Sequence, residues 1–336
     1  MRRYLLYRLN PRSWVKPMRK DPARPLSPLR SDQVDVVYTW VDGADPAWRA
    51  KYEAHAGGRL SEVDFSRRFA SAGEILFSLR TLQRFFPEAR RVFIVTDDQT
   101  FDLGGLPPAL RAKITFVFHR QIIDPSYVDL PTFNSTVITS FLWRIPELSE
   151  CFLYLNDDLF LGDRLERRHL VSPQGLAYSY LRPWSTARMA REVTTQSSSN
   201  PWELHPINAR ECFLAAFGTE PNLVSLHTAC LLHRSACEAA FRLFAEQWRH
   251  TYYGERVRGP QSLAFGLLAN WVGIRSGYQQ PIDRALLSRR TRWFLNLEEP
   301  VVDGLLRERP LFFCVNQVKD PELFVALMER YLEGLE

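Results

Sequence analysis

Residues 151–162 read CFLYLNDDLFLG. Five residues of apolar strand-forming sequence, Cys151 to Leu155, meet Asn156, Asp157 and Asp158, and the apolar run resumes at Leu159. A carboxylate inside a core is costly unless a cation, a metal or open water compensates it. The two acids therefore belong at a strand end, not in its middle.

Neighbouring segments repeat the pattern. VDVVYTW (34–40) is an apolar, β-rich run that ends in the turn-forming DGADP. RVFIVTDD (91–98) is a second strand that runs into acids, and KITFVFH (113–119) is a third. Between them, SAGEILFSLRTLQRFF (71–86) places apolar residues at 75, 76, 79, 82, 85 and 86, which is helical spacing, and Pro87 stops it. NSTVITSFLWRI (134–145) reads as another helix capped by Asn134 or Ser135. Strands alternating with helices predict an α/β fold with a mainly parallel sheet. In such sheets ligands bind at the carboxyl ends of the strands. Three strand ends there carry acids: Asp42, Asp97 and the pair Asp157–Asp158.

Further along, residues 165–225 contain the polar, proline-bearing stretch STAR…TTQSSSNPWELHP and predict a long loop or lid over the site. Helical character returns at 235–253 and 262–277. LFFCVN (311–316) reads as one more strand, and the segment from Pro321 to Leu335 as a closing helix. The organisation expected is a basic extension over 1–32 followed by a single α/β domain over 33–336.

Charge is unevenly spread. Residues 1–30 hold nine Lys and Arg against one acid, so of the net +5 this segment supplies +8 and the remaining chain is at −3. This distribution argues against a broad nucleic-acid-binding face. The first twenty residues mix these cations with Tyr4, Leu5, Leu6, Tyr7, Leu9 and Trp14, a composition that suits either a peripheral anchor on an anionic membrane or a plain basic extension. Five cysteines without a C-x-x-C pair read as buried thiols of a reducing compartment, which places the protein in the cytoplasm, with the basic segment at the inner face of the membrane if it anchors.

Acids converging on one crevice repel one another unless they share a cation. Hard oxygen donors favour Mg²⁺ or Mn²⁺, held by few carboxylates together with substrate phosphates. Asp157 and Asp158 are the candidate metal ligands. There is no G-x-x-x-x-G-K-[ST] loop, no G-x-G-x-x-G after the first strand and no G-x-S-x-G elbow. P-loop NTPases, dinucleotide dehydrogenases and α/β-hydrolases are disfavoured accordingly.

DVVYTWVDGADPAW (35–48), FASAGEILFSLRTLQRFFPEARRVFIVTDDQ (69–99) and LPTFNSTVITSFLWRIPELSECFLYLNDDLFLG (130–162) resemble the first three signature regions of the Stealth family. SLHTACLLHRSACEAAF (225–241) resembles a divergent fourth. The family includes bacterial capsular and exopolysaccharide phosphotransferases and the catalytic subunit of the animal lysosomal-enzyme N-acetylglucosamine phosphotransferase. The resemblance implies a Rossmann-like glycosyltransferase A-type core, Mg²⁺ dependence, and transfer of a sugar 1-phosphate from a nucleotide sugar to a hydroxyl of an acceptor glycan. A metal-dependent glycosyltransferase that moves only the sugar is the alternative.

Through that resemblance Trp40, Asp42 and Asp97 are expected at the nucleotide. Asp157 and Asp158 are expected to share metal binding and deprotonation of the acceptor, with Asn156 orienting one of them or a phosphate oxygen. Asn134 and Ser135 head a helix that would receive a phosphate or sugar oxygen, or simply cap it. His227 is the candidate acid or base. Arg258, in ERVRGPQS, matches a family arginine that would steady phosphate charge, although Gln261 and Ser262 stand near the place where the family has an acid.

Overall fold

The computed structural model describes residues 33–335, apart from 57, 59, 185–203, 220, 226–227, 250–251, 283–290 and 317. The expected basic extension over 1–32 and His227 therefore lie outside the described residues. Twelve strands are present among those described. They are β1 (Asp35–Thr39), β2 (Val92–Thr96), β3 (Ile114–Phe118), β4 (Cys151–Asn156), β5 (Leu159–Leu161), β6 (Ala177–Ser179), β7 (Leu181–Pro183), β8 (Leu223–Ser225), β9 (Cys230–His233), β10 (Gln279–Pro281), β11 (Thr291–Phe294) and β12 (Phe312–Val315).

The central sheet has the order β3-β2-β1-β4-β9. Its first four strands are parallel, and β9 joins β4 antiparallel. The α/β class with a mainly parallel sheet is thus as the sequence reads. Alternation along each strand explains the two layers that cover it, because successive side chains point to opposite faces. Val36, Tyr38, Ile94, Leu153 and Leu155 enter one hydrophobic cluster, while Val37, Phe93, Val95 and Phe152 enter the other. Helix Glu74–Phe85 packs in the first cluster; helices Arg234–Trp248 and Phe265–Arg275 pack in the second.

Three helices fill the interval between β1 and β2: α1 (Pro46–Ala56), α2 (Glu62–Phe69) and α3 (Glu74–Phe85). The first two bury Trp48, Tyr52, Phe65 and Phe69 against Phe133 in a small aromatic core, with Trp48 and Tyr52 ring centroids 5.3 and 5.0 Å from that of Phe133. Val257 packs in the same core. This cluster ties the segment before the 135–139 helix and the loop around 257 to the carboxyl end of the sheet.

At the opposite edge, Asp35 is fully buried and bound bidentately by Arg90, whose Nε and Nη2 lie 2.8 and 2.6 Å from its two oxygens. The Ser149 amide adds a third donor at 2.7 Å. The amino edge of the sheet is thereby closed by matched charge.

Two sequence expectations change. The helix read over 134–145 is only Ser135–Thr139, followed by a single 3-10 turn at Leu142–Arg144. Thr139 and Ser140 donate their hydroxyls to the Ser135 and Val137 carbonyls, a side-chain competition that shortens helices. The long loop read over 165–225 is, where described, built structure. It carries β6, β7, β8 and a helix, Leu204–Phe217, that buries His205, Ile207, Ala209 and Phe213.

Candidate functional site

In the parallel register Thr39 is level with both Val95 and Asn156. The residues that follow, Trp40, Thr96 and Asp157, emerge side by side at the carboxyl edge. The chain does not stop at Asp158. It turns there and re-enters as β5, which leaves the central sheet to pair antiparallel with β12 in a second sheet of order β11-β12-β5. The two acids thus occupy the hinge between two sheets, which is why apolar sequence flanks them on both sides.

The hinge is held from two directions. On the α3 side, Ser78 donates its hydroxyl to the Leu159 carbonyl at 2.5 Å, and the Leu161 amide donates to Thr81 Oγ1 at 3.2 Å. On the β12 side, the Val315 amide donates to the Asp158 carbonyl at 3.1 Å, and Cys314 Sγ lies 3.4 Å from Asp158 Oδ2. Burial, with Asp158 second, pushes the Cys314 thiol far up, so the sulfur carries its proton. Tyr154, one turn of the pleat earlier, donates to Asn156 Oδ1 at 2.9 Å and so fixes the amide expected to orient the acids.

Glu74, at the start of α3, completes a triad of carboxyl groups that sequence reading did not assign. Its carboxylate accepts from the Ala72 amide at 2.7 Å. Burial, first, and then the negative neighbours Asp158 and Glu74 raise the Asp157 carboxyl well above its ordinary range. Glu74 is raised by burial foremost, with Asp158 adding to it.

One cation, Arg258, acts on Asp158. Arg258 is lowered to about 9, by burial first and then by the nearby Arg68, with Tyr154 and Asp158 opposing the shift. Arg68 donates from Nη1 to the Arg258 carbonyl at 3.2 Å. His205, from the helix in the segment expected to be a loop, is lowered to about 4 by burial, then by Arg258 and Arg68. Neither Arg68 nor His205 lies in a strand end, which is why the pattern of acidic strand ends did not reveal them.

The loop that presents Arg258 is braced. Asn134 donates through Nδ2 to Ser262 Oγ at 3.0 Å and to the Glu255 carbonyl at 3.2 Å, and its Oδ1 accepts from the Thr136 amide. Ser262 in turn donates to Glu255 Oε2 at 2.8 Å. Asn134 is fully buried and all its polar atoms are spent on the cap and the loop. Of the two roles expected of it, the helix cap is present. Ser135 heads a helix of five residues, too short for a strong dipole.

The other strand-end acids do not join the triad. Asp42 folds back to accept from the Ala44 amide at 2.9 Å, the turn its Asp-Gly sequence allows, while Gln99 brackets its backbone. Asp97 is paired with Lys51 at 3.1 Å and has His119 at 3.9 Å. A single cation gripped by Asp42, Asp97 and Asp157 is therefore not what the geometry offers. Trp40 is buried edge-on to Phe101 at 4.8 Å, and its indole N–H has no hydrogen-bond partner among the described residues.

No group of three or more His, Cys, Asp or Glu among the described residues is placed to cage a metal ion. Asp157 and Asp158 nonetheless suit the mode in which Mg²⁺ takes one or two protein carboxylates and completes its shell with phosphates and water. The crowding of buried carboxyls at Asp157 is the feature that such a cation would relieve.

Residues 32–57 match Stealth protein conserved region 1, and residues 68–178 match conserved region 2, so the segments 69–99 and 130–162 fall within one region rather than two. A capsular polysaccharide phosphotransferase of Actinobacillus suis is 34% identical over 307 residues, covering 89% of this chain and 77% of the relative. One from Haemophilus influenzae is 34% identical over 300 residues, covering 84% and 78%. An exopolysaccharide phosphotransferase of Streptomyces coelicolor is 33% identical over 317 residues, and this chain spans half of its length. Among solved structures, the galactosyltransferase LgtC aligns with 88% of this chain and 96% of its own at 12% identity and a TM-score of 0.40, too distant to argue from. With a third of its residues shared along most of both chains, the protein belongs to the Stealth family, alongside the capsular polysaccharide phosphotransferases.

Proposed function

We propose that the protein is a phosphotransferase that moves a sugar 1-phosphate from a nucleotide sugar to a hydroxyl of an acceptor glycan, leaving a phosphodiester in a capsular or exopolysaccharide. The observation that carries this reading is the carboxyl edge of the sheet, where Asp157, Asp158 and Glu74 crowd together and Arg258, itself held by Arg68, acts on Asp158. Diphosphate chemistry needs both charges at once: oxygens for a cation and proton, and guanidiniums for the phosphate oxygens.

The acceptor hydroxyl attacks the β-phosphorus, its proton passes to Asp157 or Asp158, and nucleoside monophosphate leaves. A divalent cation such as Mg²⁺ or Mn²⁺, held by those two acids, would neutralise the diphosphate. Arg258, fixed by the Asn134–Ser262–Glu255 brace, points its charge at the transferring group, and Trp40 offers its indole N–H to the nucleotide. Catalysis of this kind is mostly positioning and charge stabilisation, and a braced loop and a doubly held hinge supply both. No helix among the described residues is long and apolar enough to cross a membrane. We place the enzyme at the inner membrane face through the basic segment 1–32.

The test is a panel of UDP-, GDP- and CDP-sugars with Mg²⁺ and a glycan acceptor, read for nucleoside monophosphate. Its release with a phosphodiester product is expected. Release of nucleoside diphosphate would reassign the protein as a sugar-only transferase, and no turnover with any donor would refute the reading. Asp158→Asn should lower turnover by about a hundredfold or more with an unchanged melting temperature; near-normal turnover would remove the acid from the mechanism.

A further inference from the structure

β12 enters the molecule about 150 residues after the acidic hinge, yet it touches the hinge at both levels. Cys314 pairs with Leu159 and Phe313 with Phe160 in the antiparallel ladder. The Val315 amide takes the Asp158 carbonyl, and the Cys314 thiol takes the Asp158 carboxyl. Around it the fit is close: Phe160 and Phe313 stack at 5.0 Å, and Phe313 meets Tyr331 edge-on at 5.3 Å. Cys314 has no exposed surface, so it serves no disulfide or solvent-side role.

We propose that Cys314 is a positioning residue for the transfer reaction, its S–H donating to Asp158 Oδ2 and so fixing the plane in which the Asp158 carboxyl meets the substrate. This rests on the proposed role of Asp158. The backbone bond fixes where Asp158 sits, and the thiol bears directly on its carboxyl group. A thiol is a weak donor, but this sulfur is fully buried, where a hydrogen bond is electrostatically stronger than in water. Groups of this outer kind, which orient a working carboxylate without touching substrate, typically cost between tenfold and a hundredfold when removed.

The experiment compares Cys314→Ser, Cys314→Val and Cys314→Ala in the full chain, using nucleoside monophosphate release from the same sugar-nucleotide panel, with thermal melts alongside. Cys314→Val loses the donor and adds a methyl group, Cys314→Ala loses it and leaves a small cavity, and in whichever melts like the parent kcat should fall about tenfold while the donor KM stays within roughly twofold. Cys314→Ser keeps a donor and should hold kcat within roughly threefold of the parent. A Cys314→Val enzyme with parental kcat overturns the proposal. So does a folded Cys314→Ser enzyme as slow as Cys314→Val, or a change confined to KM. Should Cys314→Ala melt early from its cavity, Cys314→Val carries the comparison. Asp158→Asn separates the two readings. If it is inactive while Cys314→Val is normal, only the positioning role fails; if it is active, both fail.

Discussion

Arg90→Ala tests the physical contrast between the two edges of the sheet. Asp35 has no exposure, and Arg90 donates to both of its carboxylate oxygens, at 2.8 and 2.6 Å, beside the Ser149 amide. Removing one partner of a buried pair costs about 3–5 kcal/mol, because a charge is left without compensation. The Arg90 side chain is 36% exposed, so water would enter and soften the loss. The lower end, about 3 kcal/mol, is expected. For a domain of this size each kcal/mol moves the melting temperature by about 2 °C, giving a fall of about 6 °C. Turnover per folded molecule should not change, since the pair lies at the amino edge. Thermal melts of Arg90→Ala, Asp35→Asn and the double variant form the assay. Neutralising Asp35 in the Arg90→Ala background should recover more than half of the loss. A fall below about 1 kcal/mol, or no recovery in the double variant, would refute the claim that an uncompensated buried carboxylate is the cost.

Two further outcomes follow from other sites. His205 is held near pH 4 rather than about 6.5 by burial and by Arg258 and Arg68. The unfolded chain therefore takes up this proton first, so His205 contributes stability that is complete above about pH 6.5 and is lost as pH falls toward 4, at most about 3 kcal/mol. His205→Gln should flatten the decline in melting temperature between pH 7 and 4.5, and an unchanged slope would remove His205 as its source. Gly43→Ala should cost about 1–3 kcal/mol and slow turnover, because the added carbon would sit 2.6 Å from the Phe69 carbonyl oxygen and 2.7 Å from its Cβ, pushing the end of α2 and with it Arg68. A melt and a rate equal to the parent's would show that α2 yields freely.

Strands β1 to β4 and helix α3 were legible because each carries its periodicity in full: period two with both faces apolar, or apolar positions three and four apart. The hinge at 157–158 was legible as a strand end, but not as a passage between sheets, since β5 is three residues long and its partner β12 lies far along the chain. Helix Leu204–Phe217 was missed because its apolar residues do not gather on one side, and it follows a polar stretch. The acids show the same division. Asp157 and Asp158 stood out by their apolar flanks. Asp42 and Asp97 looked equivalent to them, and only packing reveals that Lys51 and a local turn already satisfy them. Glu74 reads in sequence as an ordinary first-turn helix acid, and its membership in the triad depends on where α3 docks.

The pairing of β5 with β12 has a consequence for the protein's biogenesis. A ribosome that has released residue 161 has made both acids, but the strand that clamps them is still some 150 residues from synthesis. Until Phe312–Val315 docks, the hinge is an unpaired edge exposed to whatever is nearby. Such long-range closure is slow to form and late in the order of folding. Competence to handle an activated sugar would then arrive as one of the last folding events, and partial chains would remain inert toward their own precursors.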